Sequence, residues 1–163
     1  MSGKKFSVND KVAYPGQGVA EIIAINEKKL GGQTLTFYEL KMLETGIKIM
    51  VPINKALQVG LRNLVTDEEI QEIFNILKDK NVVFDNQAWN RRYRGFVEKI
   101  KTGSLFDVAE VFRDLSLLKN QKTLSFGEKR MLETAISLMV KELSIVQDKS
   151  EEETIELLES FFK

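Results

Sequence analysis

The chain has 163 residues, of which 43% are hydrophobic and 29% charged, and its 24 basic and 24 acidic side chains give a formal net charge of zero. It contains no cysteine and no histidine, which excludes disulfides, thiolate catalysis, iron–sulfur clusters, zinc sites built on those residues and a Ser–His–Asp triad. This length and composition predict a folded chain of one domain or two small ones.

Neither a signal peptide nor a membrane span is expected. The start, Met1 to Phe6, is basic but no apolar run follows it, which does not fit a signal peptide. No stretch approaches the roughly 18 apolar residues that are needed to cross a bilayer. We therefore expect a soluble protein that stays in the compartment where it is made.

Residues 8 to 62 predict a meander of four or five antiparallel strands. Short β-favouring runs alternate with glycine-containing turns, which is the pattern of such a meander. The runs are Lys11 to Pro15, Val19 to Asn26, Thr34 to Leu43 and Ile47 to Pro52. Gly16-Gln17-Gly18 resembles the start of a dinucleotide fingerprint, but no helix follows it, so we interpret it as a tight β-turn. Strands of this number and length suggest a small barrel or a strongly bent sheet.

From Thr66 the apolar residues recur with the period of helices. Capping boxes, in which Ser or Thr is followed three residues later by Glu, predict helix starts after Thr66, Ser125 and Ser150. The predicted helices are Asp67 to Lys78, Gln87 to Lys101, Ser104 or Leu105 to Leu118, one from Ser125 to about Val146, and an acidic one ending at Phe161-Phe162. The fold class is therefore α+β, with a β module at residues 1–66 and an all-α module with an acidic C-terminal helix at residues 67–163.

Charge is unevenly distributed along the helical module. Lys78 to Lys101 holds seven basic and three acidic residues, whereas Glu142 to Lys163 holds seven acidic and two basic ones. The basic segment includes Trp89-Asn90-Arg91-Arg92-Tyr93-Arg94, with the only tryptophan of the chain. Trp89 either packs between helices, or stacks on a nucleic-acid base while the arginines contact phosphates. Its place near a helix start, after a linker, favours the second alternative.

Two further features of the sequence are the Met50-Val51-Pro52 segment and the run of three glutamates at residues 151–153. Met50 precedes Pro52, which cannot donate a ladder hydrogen bond, so an edge strand with an outward apolar patch is one alternative and burial of the strand is the other. Ile47, Ile49 and Val51 are expected to point together to the opposite face. Glu151-Glu152-Glu153 is explained by favourable interaction with a helix dipole. No metal, cofactor or catalytic site is expected.

Several distinctive motifs follow one another between about Val8 and Leu143. They are Asp10-Lys11-Val12-Ala13-Tyr14-Pro15-Gly16-Gln17-Gly18-Val19, Met50-Val51-Pro52, Val59-Gly60-Leu61-Arg62, Trp89-Asn90-Arg91-Arg92-Tyr93, Lys99-Ile100-Lys101-Thr102-Gly103, Ala109-Glu110-Val111-Phe112-Arg113-Asp114-Leu115 and Leu124-Ser125-Phe126-Gly127-Glu128-Lys129-Arg130-Met131-Leu132. In this order and with natural spacing, they resemble the CarD/CdnL family of bacterial transcription regulators.

The resemblance implies a role for each module. The β module looks like the Tudor-like, SH3-like RNA polymerase interaction domain that transcription-repair coupling factors also contain, and it would bind the polymerase β subunit through its edge. The helical module looks like the DNA-contacting domain of the family, with Trp89 as a wedge at the upstream edge of the promoter bubble. The DNA-contact residues that the resemblance implies are Trp89, Arg91, Arg92, Arg94 and Lys129.

The sequence departs from some actinobacterial members, which carry Arg in place of Met50 and His-His in place of Gly16-Gln17. The polymerase contact at Met50 is therefore expected to be apolar rather than ionic. The polymerase-binding residues that we expect are Met50, Val51, Pro52 and Lys28.

These expectations combine into one hypothesis and one alternative. The hypothesis is a regulator of transcription initiation, without enzymatic activity, that stabilises the open complex at the junction between duplex and single-stranded promoter DNA. We expect a cytoplasmic bacterial monomer, associated with the nucleoid through RNA polymerase and not with a membrane. The alternative is a polymerase-bound adaptor that does not touch DNA and in which Trp89 belongs to the core.

Overall fold

The structure, a computed structural model, describes residues 6–81 and 89–163, and of residues 89 and 90 it describes the backbone alone. It divides into two compact units, Met1–Leu64 and Val65–Lys163. Each unit has its own cluster of buried apolar side chains. We describe each unit separately.

The first unit is an antiparallel sheet. Its strands are β1 (Lys11–Tyr14), β2 (Gly18–Leu30), β3 (Gln33–Met42), β4 (Lys48–Pro52) and β5 (Arg62–Asn63), and a 3-10 turn at Ile53–Lys55 follows β4. The order in the sheet is β4-β3-β2-β1-β5. The predicted meander is confirmed, and its strand order, which the sequence left open, places β4 at one edge.

Strand β2 continues four residues beyond the predicted end at Asn26. Leu30 pairs with Gln33 across a two-residue turn of Gly31 and Gly32, whose φ angles of 57° and 82° lie in the region that only glycine adopts readily. The predicted end was wrong because exposed charged residues follow Asn26, and the sequence shows no burial there. Backbone pairing with β3, which does not require burial, extends the strand to the turn.

Tyr38 is central to the core of the first unit. Its side chain is 1% exposed, and its hydroxyl oxygen accepts a hydrogen bond from the Phe6 backbone N–H at 3.0 Å. The two rings meet edge to face, with centroids 5.7 Å apart. Val12 and Leu40 are completely buried beside them. The polar end of Tyr38 is thus satisfied inside an otherwise apolar core.

The second unit contains five helices in the described part of the chain. They are α1 (Asp67–Lys78), α2 (Trp89–Lys101), α3 (Leu105–Gln121), α4 (Phe126–Gln147) and α5 (Glu151–Ser160). All three predicted capping boxes are present, at Thr66, Ser125 and Ser150. Helix α3 continues three residues past the predicted end at Leu118. The predicted linker end at Asp85-Asn86 and the predicted start of α2 at Gln87 lie outside the described residues.

Helices α1 and α3 each bury one apolar face. Ile70, Ile73 and Leu77 of α1 are completely buried, and Phe74 is partly buried against them. From α3, the core takes Val108, Val111, Phe112 and Leu115. A sheet followed by an all-helical unit therefore confirms the α+β fold class. In the residues that the structure covers, no helix is both long and apolar enough to cross a bilayer.

The second unit also buries a carboxylate, which contacts the backbone of the first residue of the unit. Glu142 is 3% exposed, and its Oε2 accepts a hydrogen bond from the backbone N–H of Val65 at 2.8 Å. Val65 is itself part of the helical core. This bond joins the first residue of the unit to the C-terminal third of α4, so Val65 is already part of the helical fold.

Candidate protein-binding and nucleic-acid-binding surfaces

The β4 edge brings two of the predicted polymerase-binding residues together. Met50 is 37% exposed on this edge strand, as expected for an outward methionine. Lys28, on the exposed end of β2, places its Nζ 3.7 Å from the Met50 Sδ. An edge strand also carries unpaired backbone N–H and C=O groups. The edge therefore offers backbone hydrogen bonding, a small apolar contact and one positive charge.

The other two predicted residues on β4 are less accessible. Val51 is 4% exposed and belongs to the core, and Pro52 is half-buried. A partner can therefore reach Val51 only through its backbone. The expectation that Ile47 points with Ile49 and Val51 is wrong, because Ile47 is 58% exposed. It lies before the strand and is held by its backbone: its carbonyl accepts a hydrogen bond from the Met42 N–H at 2.9 Å, and its N–H donates to the Thr45 Oγ1 at 3.2 Å.

Helix α2 carries the predicted DNA-contact residues of the basic segment. Trp89 is its first residue, and its side chain lies outside the part of the chain that the structure describes. Arg91 and Arg94 are exposed. Arg92 is different, because its side chain is 21% exposed and its Nη2 lies 3.9 Å from Oε2 of Glu128, which is 3% exposed. Arg92 thus links the first turn of α2 to the start of α4.

Glu128 combines three interactions at the start of α4. Its Oε1 accepts hydrogen bonds from the Ser125 N–H at 2.8 Å and from Lys122 Nζ at 3.1 Å, while Oε2 faces Arg92. Burial alone would raise the pKa of Glu128, but the hydrogen bonds from Ser125 and Lys122 outweigh it, and the pKa lies below its ordinary value. The capping box predicted the Ser125 bond, whereas the contacts to Lys122, six residues earlier, and to Arg92, 36 residues earlier, were missed.

Lys129 follows Glu128 and is exposed. It lines a groove of about 680 Å³ at the junction of α3 and α4, which also contains Lys119, Lys122 and one opposing carboxylate, Glu133. The start of α4 therefore holds Lys129 and receives Arg92, two of the predicted DNA-contact residues. The groove is locally basic although the whole chain is neutral.

Part of the basic segment is used inside the helical unit. Lys80 Nζ donates hydrogen bonds to the carbonyl oxygens of Leu77, at 3.1 Å, and Phe161. It also lies 3.7 Å from the ring centroid of Phe162. Burial, together with the nearby Arg113 charge, lowers the pKa of Lys80. Lys80, although exposed, therefore connects the C-terminal residues Phe161 and Phe162 to the end of α1.

A basic helix start in one unit and an exposed strand edge in the other are features that suit a two-module protein that binds macromolecules. Within residues 6–81 and 89–163 no group of three or more acidic side chains could hold a metal ion. Family models match both units: the CarD-like/TRCF RID domain matches residues 6–65 and the CarD C-terminal domain matches residues 72–159. The chain belongs to the CarD/CdnL family and is a CarD-like transcription factor.

Individual proteins are similar to all or part of this chain. YdeB of Bacillus subtilis (strain 168), whose name proposes that it is a transcription factor, is 32% identical over 152 residues, which cover 91% of this chain and 96% of YdeB. Among solved structures, the N-terminal domain of CdnL from Myxococcus xanthus is 45% identical, covers 40% of this chain and 92% of its own, and has a TM-score of 0.34. The N-terminal domain of Myxococcus xanthus CarD is 40% identical, with coverages of 39% and 89% and a TM-score of 0.30.

Proposed function

We propose that this chain is a non-enzymatic factor of transcription initiation that binds the RNA polymerase β subunit and stabilises the promoter open complex. The β module would bind the polymerase, and the helical module would place Trp89 at the upstream edge of the bubble. The observation that carries the proposal is the match of residues 6–65 to the CarD-like/TRCF RID domain, followed by a CarD C-terminal domain at residues 72–159.

The β4 edge supports the polymerase step. An exposed edge can accept a further strand, in which backbone hydrogen bonds supply affinity and side chains supply specificity. Met50 and Lys28, with Sδ and Nζ 3.7 Å apart, give this edge an apolar contact next to a positive charge. Pro52 ends the run of backbone donors. Val51 contributes to polymerase binding indirectly, because its buried side chain anchors β4 to the core.

The exposed arginines of α2 support the DNA step. Guanidinium groups bind phosphates through paired hydrogen bonds, and such contacts position a protein without selecting a sequence. Arg91 and Arg94 are exposed in the turn that follows Trp89. The Arg92 side chain is 21% exposed, so it can still contribute to the proposed DNA surface. Its ion pair with Glu128 also stabilises the helical unit. Lys129 supplies a further cation at the start of α4.

Stabilisation of the open complex follows from differential binding. A ligand shifts a two-state equilibrium only when it prefers one of the states. An indole ring can stack on an unpaired base, whereas a closed duplex offers no free base face. Such stacking supplies about 1–3 kcal/mol per base, and about 1.4 kcal/mol corresponds to a tenfold change in population.

The neutral net charge supports delivery by polymerase, because the free chain is expected to bind DNA only weakly. With 24 basic and 24 acidic residues, the whole chain has no long-range positive field to attract DNA. Attachment to polymerase would give the chain a high effective concentration at the promoter, so that a low intrinsic affinity for DNA is sufficient. The proposal therefore describes a monomer that acts in the bacterial cytoplasm and reaches the nucleoid through polymerase, without a cofactor.

The test is the lifetime of open complexes formed with Trp89→Ala. We expect the lifetime to fall roughly five- to a hundredfold, because stacking worth about 1–3 kcal/mol is lost, while binding to polymerase is unchanged. The measurement is the fluorescence of 2-aminopurine at the upstream bubble edge during competitor challenge. Trp89→Phe, which keeps a ring, should retain part of the effect.

Arginine variants provide the matched comparison. Arg91→Ala should weaken a phosphate contact and reduce the slope of the salt dependence by about one charge, without the loss of melting temperature that we expect for Arg92→Ala. If Trp89→Ala stabilises open complexes as well as the wild type does, and the two proteins have equal melting temperatures, the proposed role of Trp89 as a wedge is wrong.

One observation favours the adaptor alternative, in which the helical module does not touch DNA. Phe96, seven residues after Trp89, is buried, and positions seven apart share a helix face. In an adaptor, Trp89→Ala would lower the melting temperature of the protein and affect open complexes only through that loss of folding. The same set of variants therefore separates the two functions.

A further inference from the structure

Phe126, the first residue of α4, is 76% exposed, whereas every other large apolar side chain in the described residues is at most 58% exposed. Local folding does not require a ring here. The capping box of α4 is formed by Ser125 and Glu128, and the apolar contact before the cap is made by Leu124, which is 5% exposed. Phe126 thus contributes to neither the cap nor the core.

The surroundings of Phe126 are positively charged. The guanidinium carbon of Arg130, one helical turn later, lies 5.8 Å from the ring centroid of Phe126, and Arg130 and Lys129 are both exposed. The carboxylate in the same turn, Glu128, is buried and is paired with Lys122 and Arg92. Beyond it, the groove at the α3–α4 junction adds Lys119, opposed by Glu133. The exposed ring therefore lies within one helical turn of two exposed cations, Lys129 and Arg130.

We propose that Phe126 is a second stacking site for an unpaired nucleotide, with Arg130 and Lys129 on the adjacent phosphates. The inference rests on the proposed DNA contact of the helical module but assigns residues on α4 rather than the start of α2. An aromatic ring that stacks bases beside cations that follow the backbone is the arrangement of single-strand binding sites, and cation–π contact orients the arginine on the ring.

An apolar protein partner fits this surface less well. Protein-docking patches are contiguous apolar areas of several hundred Å², whereas the neighbours of Phe126 in the helix are Gly127, Glu128, Lys129 and Arg130. One ring can cover one base but cannot form such a patch. Charge complementarity therefore selects a polyanion with flat aromatic groups as the occupant.

The experiment measures binding of the full chain to three labelled oligonucleotides of one sequence by fluorescence anisotropy at low salt. The probes are a single strand, a blunt duplex and a duplex with a single-stranded arm. We expect Phe126→Ala and Phe126→Leu to weaken binding to the single strand and to the armed duplex about five- to tenfold. Phe126→Tyr should bind as wild type does, and duplex affinity should not change. Arg130→Ala should weaken binding to all three probes and reduce the salt slope by about one charge.

Two controls match these changes in exposure and in charge. Leu57→Ala removes a side chain that is 57% exposed in the other unit, and Lys149→Ala removes an exposed cation beyond the opposite end of α4. Neither should alter binding. Because Phe126 is so exposed, its variants should melt at the wild-type temperature.

Each contrary outcome identifies what has failed. Unchanged single-strand affinity of Phe126→Ala overturns the second site, and if Trp89→Ala weakens binding in the same assay the proposed function stands. Full activity of Phe126→Leu, or an equal loss on the blunt duplex, overturns stacking by the ring. If wild type binds none of the probes, the inference is overturned, while open-complex lifetime with Trp89→Ala still decides the proposed function separately.

Discussion

Met50 and Val51 are neighbours with opposite environments, because successive side chains of a strand point to opposite faces. Val51 is 4% exposed in the core, and Met50 is 37% exposed at the edge. The alternation was visible in the sequence, and so was the edge position suggested by Pro52. The approach of Lys28 to Met50 was not, because it depends on the extension of β2 to the Gly31-Gly32 turn.

Met50→Asp is predicted to weaken binding to an isolated polymerase β-subunit fragment and to leave the fold intact. Burial of a charge in an apolar contact should cost about 1–2 kcal/mol, or roughly five- to thirtyfold in affinity. The variant should fold because position 50 is exposed and Lys28 Nζ is close enough to pair with the new carboxylate. The measurement is titration calorimetry, with circular dichroism to check folding.

Leu30→Asp is the matched control for Met50→Asp. Leu30 is also an exposed apolar residue of the β module, 54% exposed at the tip of the β2–β3 hairpin, but it is not on β4. Its substitution should leave polymerase binding unchanged. Equal affinity of Met50→Asp and wild type would move the partner surface away from the β4 edge.

At the scale of elements, helix starts were more predictable than the contacts between helices. The capping boxes at Thr66, Ser125 and Ser150 are local, because a side chain bonds to backbone only three residues away. Contacts across long sequence separations leave no such pattern. Glu128 was therefore predicted as a cap, but its pairing with Arg92, which is 36 residues earlier in the sequence and joins α2 to α4, was not.

Glu128→Gln is predicted to destabilise the helical unit in a pH-dependent way. Glutamine can still accept the Ser125 hydrogen bond, but it loses the charge that faces Lys122 and Arg92, so we expect a loss of about 1–3 kcal/mol at pH 7. The folded pKa of Glu128 is lowered, so its carboxylate stabilises the fold above the ordinary glutamate pKa of about 4.3. This stabilisation disappears as pH falls through the lower, folded pKa.

The measurement is urea unfolding of wild type and Glu128→Gln from pH 7 to pH 3. The difference in unfolding free energy should shrink steadily below about pH 4.3. Glu133→Gln, an exposed carboxylate on the same helix, is the control and should show little difference at any pH. A Glu128→Gln deficit that stays constant down to pH 3 would mean that shape, rather than charge, makes Glu128 important.

For the whole molecule, the period of the apolar residues changes from that of strands to that of helices near Thr66, and the structure divides into Met1–Leu64 and Val65–Lys163. Fold class was predictable because it depends on the period of apolar residues, which is a local property. Tyr38 shows the limit of that approach. Its burial depends on the Phe6 backbone N–H, 32 residues earlier in the chain, and nothing in the spacing around Tyr38 predicts this partner.

We propose that the two units fold independently, because each has its own buried cluster. Val65 belongs to the helical unit, because its backbone N–H bonds to Glu142. An isolated β unit should therefore end at Leu64. Residues 1–64 alone should give a dispersed NMR spectrum whose amide peaks superimpose on those of the full chain. A domain of this size has little stability to spare, since it buries only about 60% of its unfolded surface.

Tyr38→Ala in the full chain is the sharper form of this test. It removes a ring that is 1% exposed, and large aromatic-to-alanine changes in a core cost about 3–5 kcal/mol, which is comparable to the whole stability of a small module. We expect the amide peaks of residues 6–64 to collapse into the unfolded range while those of α1 to α5 keep their positions. Tyr38→Phe, which keeps the ring and loses only the hydroxyl, should leave the sheet folded but less stable. If Tyr38→Ala also displaced the helical peaks, the two units would fold as one cooperative body, and a change at the β4 edge could then alter DNA contacts through stability alone.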